Sequence, residues 1–169
     1  PAGRIRIPND SKSRAGGVLY SDYSLGRFFA EAARQPWFEN TIFLVTADHC
    51  ASSAGRTEIP LQKYHIPALI LAPGLIEPGV VDGIVSQIDL MPTLLSLLNM
   101  SYDSHFYGRS IFDPAYVNRA FIATYQDLGY LEGDTFTILS PVRRFEQYRV
   151  VPTEKNPHNL EPAATTDEE

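Results

Sequence analysis

The sequence predicts an α/β fold: helix, buried strand, loop, buried strand, helix, with a mostly parallel sheet, followed by a small antiparallel β subdomain. Three observations carry that expectation. Two short apolar runs, Thr41-Ile-Phe-Leu-Val-Thr46 and Ala68-Leu-Ile-Leu-Ala72, lack the alternation of a strand with one wet face. They read as strands covered on both faces, as inside a parallel sheet. Each run neighbours a stretch of helical periodicity, and beyond Pro114 the texture breaks into brief β-like segments separated by glycine, aspartate and proline.

Residues 1 to 13 hold Pro, Asn, Asp, Ser and Lys in loop-like order. From Arg14 to Ala33, Val18, Leu25, Phe28, Phe29 and Ala32 recur at helical spacing. Gly16, Gly17 and Gly26 weaken that helix, each costing about 1 kcal/mol against alanine, and Gly26 is expected to admit a close neighbour. Gln35-Pro36-Trp37 ends it, because proline cannot continue the hydrogen-bond ladder. The second strand stops at Pro73-Gly74. Ser86 to Leu98 is the second helix, capped by Ser86 or Asp89, with Pro92 tolerated in the first turn. Its apolar residues cover much of the wheel, so it is expected to be largely buried. Ala120–Tyr125, Tyr130–Leu131, Phe136–Leu139 and Phe145–Val150 suggest an antiparallel meander, broken at Gly133-Asp134 and Pro141. The tail from Thr153, interrupted by Pro157 and Pro162, is expected to be extended or disordered.

At 169 residues with 44% hydrophobic and 20% charged side chains, the chain is long and apolar enough to build a core without disulfides. A single cysteine excludes a disulfide framework and any multi-cysteine zinc site. Of the formal charge of −6, the tail from Thr153 holds five acids against one lysine, leaving the body near neutral. That offers no footprint for nucleic acid. No apolar run approaches the ~18 residues that span a bilayer, and the opening Pro-Ala-Gly-Arg-Ile-Arg has neither initiator Met nor an apolar leader core. The chain is therefore expected to be part of something longer.

The sharpest chemical feature is Asp48-His49 at the carboxyl end of the first strand, where ligands bind in open α/β sheets. A carboxylate beside an imidazole suits a divalent ion. The alternative is that Asp48 caps the turn and His49 is a solvated loop residue. Two ligands are also fewer than the four or so such a site needs.

Three ordered blocks carry a resemblance: Thr41 to His49, Ile66-Pro67 to Gly74, and Ser86-Gln-Ile-Asp-Leu-Met-Pro-Thr-Leu-Leu-Ser-Leu-Leu98, with Tyr20-Ser-Asp22-Tyr-Ser-Leu-Gly26-Arg-Phe28 upstream. Together they resemble the carboxyl-terminal part of the sulfatase-like domain of the alkaline phosphatase superfamily, nearest its lipoteichoic acid synthase and phosphoglycerol transferase branch. On this resemblance residues 1–117 are the end of the α/β core, 118–152 the small antiparallel subdomain and 153–169 an acidic tail.

The resemblance implies that Asp48 and His49 ligate a divalent metal ion (Mn, Zn, Mg or Ca). It makes Ser53, with Ser52 as the near alternative, a contact for a substrate oxygen in the loop that follows. His65 either faces a substrate phosphate or hydrogen-bonds in the core. Lys63, Arg56 and, less directly, Arg14 are available to neutralise an anion. Cys50 is not a formylglycine precursor, because Cys50-Ala-Ser-Ser-Ala lacks the Cys-x-Pro-x-Arg pattern. Asn9-Asp-Ser11 and Asn99-Met-Ser101 match glycosylation sequons, which arise often by chance.

The family's nucleophile, its first-strand carboxylate and its His-x-Pro segment have no counterpart here, and neither His105 nor His158 matches them. The expected activity is thus that of a phosphoglycerol transferase or phosphodiesterase whose nucleophile-bearing half lies outside this chain, which alone is inactive. The alternatives are a sulfatase or phosphatase of the same fold, or a folded non-catalytic fragment. The implied partners are a phosphate or sulfate ester, such as a lipid phosphoglycerol donor, and the amino-terminal half of the same protein. The resemblance places the catalytic domain on the outer side of a bacterial inner membrane. The fragment itself is expected to be soluble and to self-associate through exposed sheet edge and apolar surface.

Overall fold

A computed structural model describes residues 14–50 and 59–163. The elements are α1 (Arg14–Ala32), β1 (Phe43–Thr46), β2 (Ala68–Leu71), α2 (Leu90–Leu97), β3 (Arg119–Ala123), β4 (Leu128–Glu132), β5 (Thr135–Ser140), β6 (Arg144–Val150) and β7 (Leu160–Pro162). Single 3-10 turns lie at Phe38–Asn40, Leu61–Lys63 and Gln87–Asp89. The fold is α/β with two sheets, β1-β2 and β3-β4-β5-β6-β7, the second antiparallel throughout. Among the described residues no helix is long and apolar enough to cross a membrane.

The chain divides into two compact units, one of Pro1–Phe43 with Ile70–Pro78, the other of Leu44–Leu69 with Gly79–Glu169. This division differs from the boundary expected at residue 117, since α2 falls in the same unit as the five-stranded sheet. In the first unit, Phe43 is the hub of an aromatic cluster, with Phe28, Phe29 and Phe38 at centroid distances of 5.9, 5.3 and 5.5 Å and Trp37 at 6.2 Å. Among the described residues Gly26 has no close neighbour: a Cβ there would meet nothing within 4 Å, contrary to expectation.

In the second unit the meander has sequential neighbours and a core made by alternation. Phe136 and Ile138 of β5 point inward with Ile122 of β3, and Ile59 and Leu61 cover them from the segment that leads to β2. Phe136 is 0% exposed. The β4–β5 hairpin closes on Gly133-Asp134, with Gly133 at φ 58°, a left-handed conformation that glycine adopts without a Cβ clash.

Three expectations are corrected. β1 and β2 are not buried on both faces: Thr46, Ala68 and Leu69 are exposed, and within the described residues each strand has one hydrogen-bonded neighbour. The helix after Ser86 is only partly buried, with Ile88, Met91 and Leu98 exposed. Within the described residues the tail carries structure: a turn joining Thr153 to Asn156 returns the chain, and β7 pairs with β6 through Val150↔Leu160. Its prolines do not forbid this, because β7 is an edge strand and Pro162 is its last residue.

Candidate metal centre

β1 delivers the chain to the site. At its last residue Thr46 Oγ1 donates to the Pro67 carbonyl at 3.2 Å, and just beyond it the Ala47 N–H donates to the same oxygen at 3.4 Å. The dipeptide Asp48-His49 follows, its side chains 87% and 73% exposed. Asp48 Oδ1 accepts the His49 N–H at 2.9 Å. His49 Nδ1 lies 2.8 Å from the Cys50 carbonyl oxygen. A carbonyl carries no proton, so this contact places the imidazole proton on Nδ1 and leaves Nε2 of the neutral ring with a bare lone pair.

Nε2 lies 3.5 Å from Asp48 Oδ2. Ligands on a tetrahedral ion with bonds of about 2.1 Å have donor atoms about 3.4 Å apart. A ligating histidine usually donates its other ring N–H to a carbonyl or carboxylate, as His49 does here. The pair therefore fits one edge of a metal's coordination shell. Among the described residues no group of three or more His, Cys, Asp or Glu is placed to hold an ion.

A second set of contacts grips the same turn from the 3-10 turn before α2. Gln87 Nε2 donates to the carbonyls of Ala47 at 3.1 Å and Asp48 at 3.2 Å. Two residues on, Asp89 is 0% exposed and fully engaged. Its Oδ1 accepts the Arg109 N–H at 2.8 Å and Arg119 Nη2 at 3.0 Å. Its Oδ2 accepts Arg119 Nη1 at 2.7 Å, the Tyr116 hydroxyl at 2.8 Å and the Ser86 N–H at 3.2 Å.

Burial alone would raise the Asp89 pKa, but Arg119, the Arg109 amide and Tyr116 outweigh it and hold the carboxyl below its ordinary value. Burial, and then the carboxylate, push the Tyr116 phenol up to about 12. Gly108 makes the approach of Arg109 possible, since a Cβ at 108 would run into the Ile88 carbonyl.

The remaining expected site residues fall apart. Ser53, with Ser52 and Arg56, lies outside the described residues. His65 does not join the Asp48-His49 pair in a ligand group; its ring meets that of His158 edge-on, centroids 5.5 Å apart. Burial and the neighbouring His65 lower the His158 pKa. Lys63 closes the 3-10 turn at Leu61–Lys63, and Arg14 opens α1. Cys50 is half-buried beside Tyr64, whose phenol is raised by burial and by the cysteine's charge.

Sequence reasoning missed Gln87, Arg119, Tyr116 and the His65–His158 contact. It treated Asp89 only as a helix cap, although the Ser86-x-x-Asp89 spacing was the one local signal of its role.

The family model for sulfatases matches residues 8–100, more than half of the chain. The chain belongs to the sulfatase family. It is 30% identical over 107 residues to an arylsulfatase of Clostridium perfringens, a match covering 58% of this chain and 22% of that protein. The crystal structure of a Vibrio parahaemolyticus protein in the alkaline phosphatase superfamily superposes with a TM-score of 0.88 at 32% identity. That match covers 99% of this chain and 41% of the other. The chain thus spans about a fifth of the one relative and two fifths of the other. Enzymes of this family generally use divalent metal ions.

Proposed function

We propose that this chain is the carboxyl-terminal part of a metal-dependent phosphoester-cleaving domain, a phosphodiesterase or phosphoglycerol transferase. In this reading Asp48 and His49 contribute two of the ligands, and the nucleophile comes from a segment outside the chain. The observation that carries it is the approach of His49 Nε2 to Asp48 Oδ2, 3.5 Å apart at the exit of β1 and both largely exposed. A bound divalent ion would supply positive charge against the oxygens of the ester undergoing attack. The chain's own part is to hold the carboxylate and the imidazole at a fixed separation and to keep the His49 proton on Nδ1. A threonine nucleophile would displace the alcohol from phosphorus, and water or a second alcohol would release the phosphoryl group from the threonine.

A second reading, hydrolysis of a sulfate ester, is favoured by the relative described as an arylsulfatase. The two are separated by assaying the full-length protein with bis(p-nitrophenyl) phosphate and with p-nitrophenyl sulfate in Mn²⁺. Turnover of the phosphodiester, lost in Asp48→Ala, is the expected result; turnover of the sulfate ester alone would establish the second reading. The 169-residue chain, lacking a nucleophile, is expected to turn over neither.

A further inference from the structure

We propose that Gln87 is a positioning residue for the Asp48-His49 pair; the inference rests on the metal reading above and adds to it the part that fixes the ligands. An amide NH₂ has two hydrogens. Here two carbonyls face that nitrogen, those of Ala47 and Asp48, at 3.1 and 3.2 Å. The opposite amide orientation would set oxygen against oxygen, so the nitrogen faces the turn. The two carbonyls belong to the residues at which the chain leaves β1, immediately before His49.

Gln87 is itself held. It stands between Ser86, whose N–H is bound by Asp89, and the saturated Asp89 carboxylate. From the other side, the Ala47 N–H and Thr46 Oγ1 are tied to the Pro67 carbonyl. The main chain at Ala47 and Asp48 is thus pinned through its amide on one side and its carbonyls on the other, while the Asp48 and His49 side chains remain exposed. Fixed backbone with free donor atoms is the arrangement a preorganised ligand pair requires. An uncharged amide achieves it without placing a competing charge beside the cation.

The test is a Mn²⁺ titration of the full chain followed by paramagnetic broadening of the histidine ring signals, which reports weak binding. In the unsubstituted protein the His49 signals should broaden before those of His65, His105 and His158. Gln87→Met keeps the length and removes both donors; it should need about tenfold more Mn²⁺ for the same His49 broadening. Ile138→Val, in the core of the meander, serves as the structural control, lowering the thermal midpoint while leaving the Mn²⁺ requirement unchanged. Asp48→Ala should remove the selective broadening.

If Asp48→Ala leaves the broadening intact, the metal reading itself fails and this inference with it. If Asp48→Ala removes the broadening but Gln87→Met binds Mn²⁺ as the unsubstituted chain does, the metal reading stands and the role given to Gln87 is wrong. An equal loss in Ile138→Val and Gln87→Met would also overturn it, as general loosening.

Discussion

Asp48 and Asp89 belong to two neighbouring turns, the first held through its carbonyl by Gln87 and the second two residues after Gln87, and they could hardly be held more differently. Asp89 is sealed from water and accepts five hydrogen bonds, two of them from one guanidinium. Asp48 is almost fully exposed, and among the described residues its carboxylate meets only the backbone and ring of the next residue. A buried carboxylate without partners would be costly, so Asp89 is satisfied completely and can do nothing but hold the fold. Asp48 keeps lone pairs free, as a ligand must. The contrast separates structural charge from chemical charge within one loop system, and it can be broken from either end.

The largest effect is expected at Asp89. Asp89→Ala leaves Arg119 nearly buried and unpaired, and should cost about 3–5 kcal/mol in urea unfolding. Acid should act in the same direction. Because the folded carboxyl is held below its unfolded value of about 3.9, its contribution is complete above that pH. It is lost as pH falls through the lower folded value.

Tyr116→Phe removes one donor to the same charge and should cost about 1.5–3 kcal/mol. Gly108→Ala forces a Cβ onto the Ile88 carbonyl and should cost about 1–3 kcal/mol by displacing the segment that presents the Arg109 amide. If Gly108→Ala unfolds at the same urea concentration as the unsubstituted chain, the approach of this segment to the 3-10 turn is not tight, and the rigidity ascribed to that turn is overstated.

How much of this was legible follows the range of each interaction. β1, β2 and the helices are written in local runs, and the exit of β1 marked Asp48 and His49 without any structure. Asp89 is different: Arg109, Tyr116 and Arg119 reach it from 20 to 30 residues downstream, and no spacing announces them. Gln87 reaches back 39 and 40 residues to two backbone oxygens, groups every residue carries. β7 was hidden because three residues with a terminal proline look like coil until β6 offers an edge. The exposure of β1 and β2 was misread because an apolar run states what a strand would tolerate, not what covers it.

A smaller effect is expected from His158. Burial and His65 disfavour its charged form in the folded chain, so the unfolded chain binds more protons just below pH ~6.5. The contribution to stability is complete above that pH and declines as pH falls through the lower folded value. Among the described residues its ring meets that of His65, and its backbone N–H donates to Asn156 Oδ1. Thermal midpoints measured between pH 7 and 5 should fall less steeply in His158→Gln; an unchanged slope would assign the loss to other groups.

The smallest effect on folding is the most informative. Asp48→Ala should change unfolding free energy by no more than about 0.5 kcal/mol, the range of exposed substitutions. The bonds it deletes are a short-range one to the His49 N–H and a long, solvent-screened approach to the ring. The backbone of the turn stays tied by Gln87 and Pro67, neither of which touches the Asp48 side chain. The same substitution should abolish selective Mn²⁺ broadening at His49. A loss of stability approaching that of Asp89→Ala would mean that Asp48 is one more structural carboxylate. A silent effect on folding joined to a lost metal response would identify a side chain whose position the rest of the loop maintains for chemistry.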